Sequence, residues 1–324
     1  MRYVFIVNPA AGKEDSTQSI RSQLAKIDAD IDVKIIVTKK PGEAETIART
    51  EASKGDEVRI YACGGDGTAN EVLTGVAGYT NCALGIIPIG SGNDFVRAMD
   101  NFSREDFLDV AAMVQGNDRA IDLIECGGRY CMNILSVGFD CSVANNVERF
   151  KKLPLVSGSL AYKFSILYCL FTQRKHPVRI YVDGKCFEKA DYSNTTLLAI
   201  AGNGKYYGGG IKAAPYGDLC DGYMEFVHAQ SISVMKLISL LGKFTKGEHI
   251  DNPKLPFVTY KRCKEICFEA QTPLDVNLDG EIFTMENPKV KILPGFLRII
   301  EPSKAVTDKT QKNISKKTEK QGIF

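Results

Sequence analysis

The stretch that most restricts this chain is Cys63-Gly64-Gly65-Asp66-Gly67-Thr68-Ala69-Asn70-Glu71. An apolar strand-like run, Val58 to Cys63, leads in, and a helix-like run through Val72, Leu73 and Val76 leads out. Glycine turns sharply and lets a ligand approach the backbone closely, because it has no Cβ. A helix that starts there aims unpaired N–H groups at the same spot, which suits phosphate. A carboxylate fits such an anion pocket only if a cation or a donor hydroxyl shares it. The stretch therefore reads as nucleotide phosphate with Mg²⁺, or phosphate beside an acceptor alcohol. The plainer reading is a glycine-rich turn with a helix-capping Asp or Thr.

The segments before and after repeat this plan. Tyr3–Val7 ends in Asn8-Pro9-Ala10-Ala11-Gly12-Lys13-Glu14, and Val33–Val37 ends in Thr38. Leu84–Ile87 ends in Pro88-Ile89-Gly90-Ser91-Gly92-Asn93-Asp94. Helix-spaced runs lie between, at Ile20, Leu24 and Ile27 and over Glu43–Ala52. Short buried strands alternating with helices predict an α/β N-terminal domain, mostly parallel sheet with helices on both faces. Ligands of such sheets bind at strand C-termini.

From about Ile121 the rhythm becomes that of strands and turns. Ile121–Cys126 with Tyr130–Val137, and Val178–Val182 with Lys185–Glu188, read as hairpins. Further strands are expected at Thr195–Ala201, Gly222–Val227, Val258–Phe268, Leu274–Leu278 and Lys289–Ile292, with helices near 159–173 and 231–246. This half reads as a predominantly antiparallel β-sandwich. The expected division is 1–124, free to be completed by 296–302, then 125–295, then a basic tail at 303–324.

Charge is unevenly placed. The chain carries a formal +2, but Ser303–Phe324 holds six Lys against Asp308 and Glu319, leaving the body net acidic. That gives no general nucleic-acid signal. The ten Cys show no C-x-x-C and no zinc pattern with the three His, so reduced cysteines of a cytosolic protein are expected. No apolar run approaches the roughly 18–20 residues of a bilayer span. P-loop, G-x-G-x-x-G, H-E-x-x-H and G-x-S-x-G patterns are absent as well.

Asn8-Pro9-x-x-Gly12, the Gly64–Glu71 stretch, Pro88-x-Gly90-Ser91-Gly92-Asn93-Asp94 with Arg97, and Asp279-Gly280-Glu281 occur in this order. With these the sequence resembles the diacylglycerol kinase catalytic family, up to about residue 300. Relatives of that family include sphingosine and ceramide kinases, and its length is most similar to the bacterial members that lack accessory domains. The resemblance implies an NAD kinase/phosphofructokinase-like first domain and ATP as phosphoryl donor. It implies a nucleotide loop over Ala10, Ala11, Gly12, Lys13 and Glu14, completed by Asn8, Thr38, Ser91 and Gly65, Asp66, Gly67, Thr68, Ala69, Asn70 and Glu71. It implies Glu281 as the base that takes the alcohol proton, with Asp66 the rival. Leu278-Asp279-Gly280-Glu281 also reads as a type I′ hairpin turn. The resemblance further implies a structural Mg²⁺ at Asp221 with Asp218 and Tyr223, helped by Asp122 through water. Without it, that segment is a strand-initiating Asp-Gly turn.

A lipid acceptor, most of all diacylglycerol, would place the protein in the cytoplasm, transiently at the inner face of the membrane. The helix at 231–246 and the basic tail are the candidate contacts, and packing into the core is the favoured reading of that helix. A soluble alcohol of the NAD kinase type, a sphingoid base and a non-catalytic regulator stay open as alternatives, as does a homodimer.

Overall fold

The computed structural model describes residues 1–12, 16–27, 31–90, 92–152, 158–193 and 195–304. Contacts divide the chain into two units, Met1–Ile121 with the segment from Phe296 onward, and Asp122–Gly295.

The first unit alternates as its sequence pattern requires: β1 (Arg2–Val7), α1 (Thr17–Leu24), β2 (Asp32–Val37), α2 (Glu43–Ala52), β3 (Val58–Gly64), α3 (Asp66–Val76) and β4 (Cys82–Pro88). Three short helices follow: α4 (Asp94–Ala98), α5 (Arg104–Leu108) and α6 (Val110–Val114). The strands lie in the order β2-β1-β3-β4, all parallel. Their apolar runs are buried end to end in β3 and β4, which is what covering both faces demands. On one side α2 and α3 approach closely at Gly75, where a Cβ would meet the Glu45 carbonyl at 2.5 Å. Elsewhere α6 is tied to α1 through Gln23, which accepts the Val110 N–H at 3.1 Å.

The second unit continues from β5 (Asn117–Cys126) through β6 (Arg129–Cys131), β7 (Ile134–Gly138), α7 (Phe139–Lys151), α8 (Gly158–Thr172), β8 (Arg179–Val182), β9 (Lys185–Cys186) and β10 (Thr196–Gly202). It closes with β11 (Met224–Gln230), α9 (Val234–Lys246), β12 (Val258–Cys263), β13 (Glu265–Glu269), β14 (Leu274–Leu278), β15 (Glu281–Met285) and β16 (Lys289–Glu301). One antiparallel sheet runs β12-β11-β10-β7-β14-β15. The other holds β9, β8, β13 and the first half of β16, with β5 and β6 beside them. A core that includes Val137, Ala199, Phe226, Ile266, Phe268 and Val290 draws on both sheets, so this half is the expected sandwich. A second core, with Phe139, Leu170, Leu237 and Phe244, sets α7, α8 and α9 against the six-stranded sheet. The far half of β16 pairs in parallel with β4, Arg298 opposite Ala83 and Ile299 opposite Leu84, and groups with the first unit.

Three expectations need correction. Tyr130–Val137 is not one strand: β6 pairs with β5, whereas β7 joins the six-stranded sheet. Val258–Phe268 likewise splits at Lys264 into β12 and β13, which belong to different sheets. Lastly, α7 was not expected at all; its Asp, Ser and two Asn are weak helix formers, and packing against α8 and the sheet holds it.

Candidate active site

Parallel strands bring their C-terminal loops to one edge of the first unit. There Asn8 binds backbone to backbone with Cys63 at 3.0 Å, and its side chain donates to Thr68 Oγ1 at 3.0 Å while accepting the Ala10 N–H at 3.0 Å. Thr38 is buried against the Val7 carbonyl, to which its N–H donates at 2.9 Å. Glu71 accepts the Gly42 and Ala44 N–H groups at 2.8 and 3.1 Å, fixing the start of α2 beside α3. Asn8, Ala10, Thr38, Gly67, Thr68 and Glu71 line one cavity of about 280 Å³, joined there by Lys39 and Lys40. Among the described residues no side chain caps α3 at Gly65, and its first turn lies at this cavity. Polar donors, two lysines and an uncapped helix start are the parts from which a polyphosphate grip is made.

The remaining nucleotide candidates play other parts. Ala69 and Asn70 are buried within α3, and Gly12 has a positive φ of 85° in the turn after Ala11. Gly65 faces Gly90, where a Cβ would come within 2.5 Å of the Gly65 Cα. Lys13, Glu14 and Ser91 lie outside the described residues. Asp66 is a clamp: its carboxylate accepts the Asn93 N–H at 2.8 Å and the Asp94 N–H at 2.9 Å. A Cβ on Gly92 would collide with that carboxylate. Asp66 thus fastens the Gly90 loop to the start of α3.

In the second unit Asp279-Gly280 is the hairpin turn between β14 and β15, with φ of 48° and 101° as a type I′ turn requires. The Asp279 carboxylate accepts N–H groups of Met132, Asn133 and Ile134 at 2.7, 3.2 and 2.9 Å. Burial pushes its pKa up, and those three donors oppose the rise. Glu281 follows the turn, exposed, and its side chain has no partner among the described residues. The turn and the base readings are therefore compatible: a rigid corner presents an unengaged carboxylate.

The Asp218–Tyr223 turn supports itself. Asp218 accepts the Cys220 N–H at 3.0 Å and Asp221 the Tyr223 N–H at 2.9 Å. Asp122 accepts the Gly222 and Gly295 N–H groups at 2.7 and 2.8 Å. Arg262 pairs with Asp221 and lies over the Tyr223 ring at 4.4 Å. Among the described residues no three Asp, Glu, His or Cys side chains form a metal cage. Oxygen donors on one turn suit Mg²⁺ in kind, but an ion at Asp221 would compete with Arg262. Sequence reasoning missed Arg262, which lies 41 residues from its partner and leaves no local signal.

Sequence reasoning also missed an apolar chamber of about 100 Å³ in the second unit, enclosed by α7, α8, α9 and the six-stranded sheet. Leu197, Val227, Leu240 and Phe244 form much of its wall, and Tyr207 and His249 supply polar edges. In the sequence such residues look like core.

Comparison with known proteins gives a consistent picture. Residues 2–126 match the model of the diacylglycerol kinase catalytic domain, and residues 133–301 that of the YegS C-terminal NAD kinase beta sandwich-like domain. The diacylglycerol kinase of Bacillus subtilis (strain 168) is 31% identical over 279 residues, 85% of this chain and 88% of the relative. That of Staphylococcus saprophyticus is 30% identical over 278 residues, 85% and 87% of the two chains. A solved structure from Bacillus anthracis str. Sterne, assigned to the diacylglycerol kinases, superposes with a TM-score of 0.71 at 26% identity, covering 94% of this chain and 98% of that one.

Proposed function

Because the chain belongs to the diacylglycerol kinase catalytic family, we propose that it transfers the γ-phosphoryl group of ATP to the hydroxyl of a membrane lipid, converting diacylglycerol to phosphatidic acid. The observation that carries this reading is the cavity at the β1, β2 and β3 ends, where six of the expected nucleotide residues meet the start of α3. The apolar chamber beneath α7, α8 and α9 supports a lipid acceptor.

In this mechanism the triphosphate lies against Gly67, Thr68 and Asn8, with Lys39 and Lys40 offsetting its charge; Lys13 and Glu14 of the nucleotide loop, and Ser91, would complete the pocket. Asp66 positions the Gly90 loop. Glu281 takes the proton as the acceptor oxygen bonds to the γ-phosphorus and the bond to the bridging oxygen breaks, releasing ADP. Mg²⁺ bound with ATP supplies charge neutralisation at the phosphates. A second ion at the Asp221 turn would be held by Asp221 with backbone oxygens of Asp218 and Tyr223. The substrate's residence puts the working protein at the inner face of the membrane.

The test is radiolabelled ATP with a defined panel: diacylglycerol, a sphingoid base, NAD and sugar phosphates, the products separated by thin-layer chromatography. Labelled phosphatidic acid is expected. Label in NAD alone would reject the lipid acceptor, and label in nothing would favour a non-catalytic regulator.

A further inference from the structure

The hairpin that presents Glu281 is fastened at both of its turn residues. Asp279 is held by the N–H groups of Met132, Asn133 and Ile134. Gly280, directly before Glu281, is held separately: its N–H donates to Asn277 Oδ1 at 2.8 Å. Asn277 is itself held. Its neighbours on β14, Val276 and Leu278, belong to the sandwich core, so strand alternation turns Asn277 to the other side, towards α7. Ser136, its cross-strand partner on β7, lies in the same way between Leu135 and Val137. Asp140, in the first turn of α7, joins the two through one oxygen. The Ser136 hydroxyl donates to Asp140 Oδ2, and the Asn277 amide donates to the same oxygen at 3.4 Å. That bond settles which way the Asn277 amide faces, nitrogen to the carboxylate and oxygen to Gly280.

The trio lies where the fold otherwise places apolar groups. Ser136 is fully buried and Asn277 is 8% exposed, on the side of the sheet where Phe139 and Leu170 pack. Burying polar groups is costly unless each finds its partners. Asp140 Oδ1 is buried without a hydrogen-bond partner among the described residues, so the trio is not arranged for stability alone. We infer that Asn277 is a positioning residue for Glu281, locked by Asp140 and Ser136, and that the series Ser136, Asp140, Asn277 and Gly280 sets where the Glu281 carboxylate meets the acceptor hydroxyl. The inference rests on the reading of Glu281 as the base. A side chain without a partner of its own takes its aim from the backbone just before it.

Asn277→Asp tests this, because it keeps an acceptor for Gly280 but sets a second negative charge against Asp140. Misplacement on the order of 1 Å costs about 10²-fold in rate, so kcat with labelled ATP and a short-chain diacylglycerol should fall by about 10–100-fold. KM for ATP should not change. Exchanging the partners, Asp140→Asn with Asn277→Asp, returns a donor between them and should recover most of the loss. In a Glu281→Gln background, Asn277→Asp should lower kcat no further. Thermal unfolding checks that each protein is folded, and Asn277→Ala, which only deletes the amide, replaces Asn277→Asp if the like charges prevent folding. A folded Asn277 variant with the kcat of the parent overturns the inference. So does an equal loss in the Glu281→Gln background, because Asn277 then acts on the fold at large. Normal turnover by Glu281→Gln alone removes the base, and the positioning with it; loss in Glu281→Gln without loss in Asn277→Asp keeps the base and removes only the positioning. Hydrogen exchange at the Gly280 amide reads the link without turnover: it should quicken in Asn277→Ala, and exchange equal to that of the parent overturns the link.

Discussion

Asp66→Asn separates two roles that the motif alone leaves merged. The carboxylate accepts the Asn93 N–H at 2.8 Å through one oxygen and the Asp94 N–H at 2.9 Å through the other, and both residues are buried. An amide keeps one acceptor and turns a donor towards the second N–H. The lost charge-assisted bond is worth about 1.5–3 kcal/mol, and the stranded buried donor costs about 1–3 kcal/mol more. The expected destabilisation is therefore about 2.5–6 kcal/mol, with loss of ATP affinity because the Gly90 loop is no longer fixed. Glu281→Gln is the companion. That side chain is exposed and has no partner among the described residues, so stability should stay within about 0.5 kcal/mol. Its turnover should fall by about 10²–10⁴. Urea unfolding gives the first quantity, and steady-state kinetics with labelled ATP the second. An Asp66→Asn protein as stable as the parent refutes the clamp, and a Glu281→Gln protein that turns over normally removes Glu281 from the base role.

Gly90→Ala should cost about 1–3 kcal/mol and abolish nucleotide binding, since its Cβ would stand 2.5 Å from the Gly65 backbone. Gly242→Ala in α9 has open space and should be neutral or stabilising by up to about 1 kcal/mol; equal unfolding midpoints for the two variants would sink the argument. Burial lowers the pKa of His228 and of His249 to about 4. The unfolded chain takes up these protons near pH 6.5 and the folded chain only near 4. Their stability contribution is complete above 6.5 and is lost as pH falls, by about 3 kcal/mol each. His228→Gln should flatten the decline of urea midpoints between pH 7 and 4.5, and an unchanged slope would refute the assignment.

The first unit was legible because each parallel strand is a short apolar run punctuated by glycine, and the chain's helices fall between in order. The hairpins at Asp183-Gly184 and Asp279-Gly280 were legible for an equally local reason, the left-handed turn residues. What escaped was set at long range. Val258–Phe268 carries one unbroken strand pattern, yet the chain changes sheet at Lys264, whose N–H donates to Asp183 at 2.8 Å. Tyr130–Val137 breaks where Asp279 grips Met132–Ile134, about 146 residues away in sequence. The favoured reading of the 231–246 segment as a core-packed helix accounts for Leu237, Leu240 and Phe244 but not for Met235 and Ile238. A helical wheel shows that α9 has two apolar sides, but it does not show that one of them faces water. The chamber was invisible for the same reason, since Leu197 and Val227 alternate as any sheet residues do.

The acids of the motifs sort themselves by what their oxygens already hold. Asp66 and Glu71 each accept two backbone N–H groups, Asp122 another two, and Asp279 three. Asp221 has Arg262 and the Tyr223 N–H. Each of these carboxylates acts as a fastener, its oxygens committed to donors that join a loop to a neighbouring element. Glu281 stands apart. It sits beyond a turn that Asp279 has made rigid, with its own oxygens uncommitted among the described residues. A general base needs a free lone pair, and of these acids Glu281 is the one whose oxygens are uncommitted among the described residues, which is why the proposed mechanism assigns it that role. The glycines complete the arrangement: Gly64 makes room for Thr68 and Gly90 for Gly65, so the loops that would grip the phosphates are packed in place before any ligand arrives.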